Sequence, residues 1–358
     1  MIRTEFEQQL TQTIAPFYQR LKDDEYGGYY GRVDHTLALY RKTTKNMVQN
    51  SRILWFFSQM AKRYAKDNYE VYALHALDFL LSHGLDSKAQ GVFWSLSYAG
   101  EVEDGAKNTF CQAYAILALV GYYEAFGNER SLDLAKRLQL FIEEHLADNW
   151  GYTETMGNIG SIKTLPTLLH LLEAYTALYK NVKDEQTRKY LEKNLDIWKK
   201  KILRGKADHL ALQFTCHMEP LDGPISFGHE LEATYLLDQA YQALGLPCPT
   251  LTEVLARSAL RDGLIDGHLC YRSTDRRAVH WVQCEGIMGF FHAYRKTGDP
   301  QFLQACETIW EYTKSHLIDQ RNGGEWLYDD TDHNKDIVSP WKGPYNNGRL
   351  CLTMEANL

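Results

Sequence analysis

The chain has 358 residues, 44% hydrophobic and 24% charged, a globular balance that excludes a disordered protein. Its net charge is −7 and no basic run exceeds Lys199-Lys200-Lys201, which excludes the cationic footprint of a nucleic-acid binder. Seven cysteines without a CxxC pair argue against a disulfide framework or a zinc site, and no apolar run approaches the ~20 residues that span a bilayer. Met1 to Glu5 lead into an acidic amphipathic helix instead of a signal peptide, so a reduced, cytoplasmic protein is expected. The 23 Tyr, 14 Phe and 8 Trp are rings that suit sugar faces and equally fill helical cores.

Along the chain one local pattern returns, a helical run closed by a Gly turn and an aromatic, strand-like stub. It reads LKDDEYGGYY at 21–30, LDSKAQGVFW at 85–94, LADNWGY at 146–152 and IDQRNGGEW at 318–326. Weaker copies are LRGKADHL at 203–210 and LRDGLIDGH at 260–268, and the six starts are 57 to 64 residues apart. Units of that length have room for two helices each. The first helix of a unit shows in YALHALDFLL (72–81) and FLQACETIW (302–310). The second is more evenly apolar, as in SRILWFF (51–57), AYAILAL (113–119), TLLHLLEAY (167–175) and IMGFFHAY (287–294). A helix apolar on most sides is buried on most sides. The spacing therefore predicts an all-α (α/α)6 barrel of twelve helices, 1–358 as one domain, with the even-numbered helices inside. Long connections precede the inner helices, whereas the links after them, such as 127–130 and 297–300, are short. The open mouth is expected where the inner helices begin, since long loops on a rigid scaffold usually carry binding chemistry.

Polar residues stand out at those starts. Arg52 sits inside an apolar run and His170 between leucines, while FGHELE (227–232) opens the eighth helix and HWVQCE (280–285) the tenth. PWKGPYNNGR (340–349) precedes the twelfth. Each residue also has a plainer reading. Arg52 can snorkel, His170 can be a hydrogen-bonded core residue, and Glu285 can pair with Arg52 or Arg349. Trp281 and Trp341 can be core. His229 and Glu232 share a helix face, so Glu232 can orient the imidazole or form a helix-start charge pair. HELE lacks the second histidine of a HExxH motif and no carboxylate cluster resembles a calcium loop, so no metal or cofactor is expected.

Lys45 with NSRILWFFS (50–58), LHLLEAY (169–175), GHELEA (228–233), Trp281 to Glu285, and GEW (324–326) with Trp341 to Tyr345 resemble the cellobiose and N-acylglucosamine 2-epimerase superfamily, which includes mannose 2-epimerases. The motifs occur in order over the whole chain. The resemblance implies proton removal at C2 of an open-chain aldose, a cis-enediolate, and proton return to the opposite face. It implies His229 as one acid/base held by Glu232, His170 in ring opening, and Arg52 on the enediolate. Glu285 would bind sugar hydroxyls and Trp341 and Trp281 would stack on the sugar. Tyr114 and Arg349 complete the expected substrate contacts. The substrate would be a mono- or disaccharide and the protein a monomer or homodimer, with no nucleic-acid or membrane partner.

Two positions depart from the family pattern. Asn346 stands where a Pro-Tyr-His-Asn-x-Arg motif carries the second catalytic histidine, and an amide cannot exchange a proton near pH 7. C2 inversion is therefore expected to be impaired. His280 stands where cellobiose epimerases usually show a second Trp. The alternatives are an aldose–ketose isomerase, in which one base moves a proton from C2 to C1, a glycoside hydrolase using Glu232 and Glu285, and a non-catalytic sugar-binding protein.

Overall fold

The computed structural model describes residues 2–158, 160–203, 208–319, 323–328 and 336–357. The first helix, α1, runs through Ile2–Gln8, a π-helical turn at Gln9–Ile14 and Ala15–Gln19. Then follow α2 (Met47–Arg63), α3 (Lys66–Phe79, extended by a π turn at Leu80–Gly84), α4 (Thr109–Phe126) and α5 (Glu129–His145). Next come α6 (Leu165–Val182), α7 (Glu185–Ile197, extended by Trp198–Ile202), α8 (Phe227–Ala243) and α9 (Leu251–Asp262). The series ends with α10 (His280–Thr297), α11 (Pro300–His316) and α12 (Asn346–Asn357), twelve helices among the described residues.

Burial separates the two rings. Every residue from Thr109 to Tyr122 of α4 is buried, whereas α3 buries only Ala73, Ala76, Leu77 and Phe79, one stripe. A helix buried on all sides must have neighbours on all sides. Each even-numbered helix packs on the next, and α12 returns to α2, closing the ring. The odd-numbered helices cover it from outside, α1 lying on α12. The inner-to-outer links are short because the chain reverses at once: Gly127, Lys183 and Gly298 end α4, α6 and α10 in the left-handed region, and Asn128, Asp184 and Asp299 cap the next helix.

The Gly-aromatic turns serve a structural purpose. In the first three, an aspartate accepts hydrogen bonds from backbone N–H groups two and three residues on: Asp23, Asp86 and Asp148. A lysine just ahead of the inner helix then pairs with each, Lys45 at 2.6 Å, Lys107 at 3.0 Å and Lys163 at 2.6 Å. The lysine pins the turn to the start of the inner helix. Gly28, at φ +65°, lies against Phe79 and Asn50, where a Cβ would come within 2.6 Å of the ring. The fourth and sixth copies run through residues 204–207 and 320–322, which lie outside the described residues. The fifth becomes a three-stranded sheet of Leu264–Ile265, His268–Arg272 and Asp275–Ala278.

Lys45 and Asp23 are 0% and 1% exposed, so their pairing is testable as stability. Asp23→Ala strands the ammonium in the core and is expected to cost about 3–5 kcal/mol. Lys136→Ala, which breaks a half-exposed pair with Asp184, is expected to cost about 1 kcal/mol or less. Urea melts of the two variants measure the difference, and equal losses would refute the pinning role.

Candidate active site

Five inner helices carry a polar side chain at their sixth residue: Arg52 on α2, Tyr114 on α4, His170 on α6, Glu232 on α8 and Glu285 on α10. One shared register places them at a common depth, about 7–8 Å inside the helix starts at the usual rise per residue. The last helix, α12, adds Asn346 and Arg349.

Above this layer, at the mouth formed by the inner-helix N-termini, lies a cavity of about 540 Å³. Arg52, His170, His229, Glu232, Asn346, Trp281 and Trp341 form much of its wall. Trp341 is 58% exposed, too open for a core residue and well placed at a rim. It stands near Trp94 and Phe110, with ring centroids 6.2 and 6.0 Å away. Trp94 and Tyr271 also line the cavity and were not singled out from the sequence, although Trp94 belongs to the second Gly-aromatic turn.

Tyr114, Glu285 and Arg349 are placed differently from the substrate contacts expected of them. They are 1%, 0% and 7% exposed, do not form the cavity wall, and instead hold the residues that do. The Tyr114 hydroxyl takes a 2.8 Å hydrogen bond from Arg52 Nη2 and lies 3.1 Å from His170 Nε2. Arg349 is the hub of the layer. Its Nη1 donates to Glu173 and to the Tyr345 hydroxyl at 2.7 Å each, and its Nη2 donates to Glu232 at 2.5 Å and Glu285 at 2.8 Å. Glu285 also accepts from Asn346 Nδ2 at 2.7 Å and from the Tyr235 hydroxyl at 2.6 Å. Glu232 and Glu285 therefore share one guanidinium and do not face each other across an open groove, which removes the geometric basis for the hydrolase alternative.

The expected support of His229 by Glu232 is also corrected. His229 Nδ1 lies 2.6 Å from Ser226 Oγ, the residue just before α8, which leaves Nε2 for the cavity. Glu232 turns inward to Arg349, with Oε1 3.9 Å from His170 Nε2. Trp281 covers His229, ring centroids 4.6 Å apart, and packs so closely on Gly228 that a Cβ there would lie 2.7 Å from the indole.

Electrostatics separate these groups. Burial, with His170 and Arg272 as neighbours, lowers the His229 pKa to about 3, so the imidazole is neutral at ordinary pH. Burial and the neighbouring Glu285 raise the Glu232 carboxyl. Burial would also raise Glu173, but Arg349, His170 and Tyr345 together hold it at about 2. Glu173 is a member of this buried network that the sequence did not single out. It accepts from Tyr345 and Arg349, and its Oε2 lies 3.0 Å from His170 Nδ1. Its i, i+3 spacing from His170, the same as that of Glu232 from His229, was the available signal.

Ligating atoms of His170, Glu173 and Glu232 lie within 4.8 Å of one another. This cluster spans α6 and α8 and so was invisible as a sequence motif. The guanidinium of Arg349 already pairs with both carboxylates, so a fixed organic cation stands where a metal ion would be drawn.

Among known protein families, N-acylglucosamine 2-epimerase matches residues 27–241 and 257–346. The chain belongs to this family. It is similar to the cellobiose 2-epimerase of Ruminococcus albus, 35% identical over 382 residues, with 98% of each chain covered. Among solved structures it is similar to the cellobiose 2-epimerase of Bacillus thermoamylovorans B4167, at a TM-score of 0.92 and 34% identity. A sugar epimerase from a ruminal bacterium superposes with a TM-score of 0.95 at 33% identity. Each comparison covers 100% of this chain and 99% of the other. These structures are (α/α)6 barrels, as is this chain, and the family places it among the carbohydrate epimerases, which are isomerases.

Asn346 and His280, the two positions expected to depart from the family pattern, have different surroundings. Asn346 forms part of the cavity wall. His280 does not: it is 2% exposed and its Nε2 lies 3.2 Å from Glu325, which also accepts from Lys342 and Gln9. It belongs to a buried network joining α1, α10 and the segment before α12, while Trp281 alone of the pair reaches the cavity.

Proposed function

We propose that this protein epimerises C2 of the reducing-end aldose of cellobiose or a related sugar, slowly, because Asn346 replaces one of two proton-transfer groups. The observation that carries the reading is His229, a neutral imidazole in the cavity wall with Nε2 available. With the sugar ring open, the carbonyl acidifies the C2 hydrogen. His229 takes that proton, the C2–H electrons form the C1–C2 double bond, and the carbonyl electrons move onto O1. Arg52 is the nearby fixed cation for the resulting oxyanion, held by Tyr114 and flanked by aromatic rings. Return of a proton to the opposite face of C2 gives the epimer. The exposed face of Trp341 supports binding of a second sugar ring at the rim.

A second reading rests on Asn346. Its amide is committed to Glu285 and is no acid near neutral pH, so the proton on His229 can return to C1 while the O2 hydroxyl proton passes to O1, which yields a ketose. Incubation with cellobiose, glucose and mannose, followed by NMR, tests both readings. C2 epimers support the first, ketoses the second, and unchanged sugars would refute both.

The chemistry needs no metal, because Arg52 at the cavity wall supplies the fixed positive charge for the oxyanion. Turnover in excess EDTA is expected to stay within about twofold of the untreated rate. Loss in EDTA reversed by a divalent ion would show that the His170, Glu173 and Glu232 cluster holds an ion after all.

A further inference from the structure

We infer that His170, held by Glu173, supplies the second proton transfer at C2 in this chain. This rests on the proposed C2 chemistry. Inversion needs proton-transfer groups on two sides of one carbon. Asn346 cannot be one, since a carboxamide neither takes up nor releases a proton near neutral pH, and its Nδ2 is bound to Glu285. The imidazoles that line the cavity, among the described residues, are those of His229 and His170. They come from neighbouring inner helices and are backed from different sides. Trp281 of α10 covers His229, whereas Phe110 and Tyr114 of α4 cover His170, with ring centroids 5.2 and 4.8 Å away. The two rings thus reach the same cavity from the α8 side and from the α6 side.

The surroundings of the two rings divide the work. His229 has a neutral hydroxyl at Nδ1 and, among the described residues, no hydrogen-bonded carboxylate. His170 has Glu173 Oε2 at Nδ1 and Glu232 Oε1 3.9 Å from Nε2. A carboxylate behind an imidazole fixes its tautomer and stabilises the cation formed when a proton is taken up. Arg349 and Tyr345 keep Glu173 in place and ionised. In the step, His229 removes the C2 proton on one face and protonated His170 delivers its Nε2 proton to the other face. The enediolate electrons return from O1, through C1, to the new C2–H bond. The reverse reaction exchanges the roles, so no oxidant or co-reactant is consumed. Glu173 is a positioning residue here, since it touches His170 and not the sugar.

The test separates exchange from inversion. In D2O, NMR reports deuterium entering C2 with retention, which needs His229 alone, and deuterium entering with inversion, which needs both imidazoles. For Glu173→Gln the ratio of inversion to exchange is expected to fall about tenfold or more, the scale of a misplaced acid–base group. A second variant, Glu173→Gln with Asn346→His, is expected to regain inversion, because the new imidazole serves the second face; that rescue also shows that Glu173→Gln leaves the fold intact. An unchanged ratio in Glu173→Gln would overturn the assignment. So would an equal loss of exchange and inversion, which would place His170 before the enediolate, in ring opening. If the parent exchanges C2 hydrogen without inverting it, the His170 assignment alone fails. If the parent does neither with any of the three sugars, the C2 chemistry itself fails.

Discussion

Asn346→His is expected to raise the rate of C2 inversion by at least ~10²-fold, the usual worth of a positioned acid or base. The surroundings of Asn346 offer a partner for an imidazole. Glu285 is fully buried, anchored by Arg349 and Tyr235, and now accepts a hydrogen bond from the Asn346 amide. A histidine at that position has an N–H for the same carboxylate, which leaves its other nitrogen for the cavity. Glu285 would then stand to this imidazole as Glu173 stands to His170. The substitution should leave substrate affinity nearly unchanged, because an amide and an imidazole offer similar hydrogen bonds to a hydroxyl. The effect should thus appear in kcat, read by NMR of cellobiose or mannose at saturation. Equal inversion rates in the parent and in Asn346→His would show that a second imidazole at this position is not used.

His229→Ala is expected to abolish both C2 exchange and inversion, a loss of at least ~10²-fold, with the fold intact. The ring lies half-buried at the cavity wall, so its removal opens space toward solvent more than it empties the core. The neutral state of His229 is what makes it a base. Its pKa is depressed to about 3 by burial and by nearby positive charge, so the imidazole is unprotonated across the neutral range, with a lower proton affinity than a free histidine. Deuterium exchange at C2 is the direct measurement, since it reports proton removal whether or not the carbon inverts. Normal exchange in His229→Ala, with an unchanged melting temperature, would remove it from the mechanism.

The periodicity of the chain by itself determined the twelve helices, their two rings and the end at which the His170 and His229 cavity opens. These follow from local causes: an inner helix needs apolar residues on every side, and after α4, α6 and α10 a left-handed residue with an Asn or Asp cap turns the chain back within two residues. Arg52, His170 and His229 were legible for the same reason, as polar residues where an apolar helix begins. Their partners were decided by tertiary structure. Arg349 is 176 residues from Glu173 and 117 from Glu232 in sequence, yet it binds both. Helical spacing says that Glu232 and His229 share a face, but the nearest buried cation claims the carboxylate, because an unpaired charge in a low-dielectric layer is costly. The same cost explains why Lys45, a residue within the family resemblance, is paired with Asp23 in the wall of the fold. A second cavity, of about 780 Å³, opens at the opposite end of the barrel, beneath Glu173 and Arg349. Nothing in the sequence pattern announced it, because space left inside a ring depends on how six helices meet and not on any one of them.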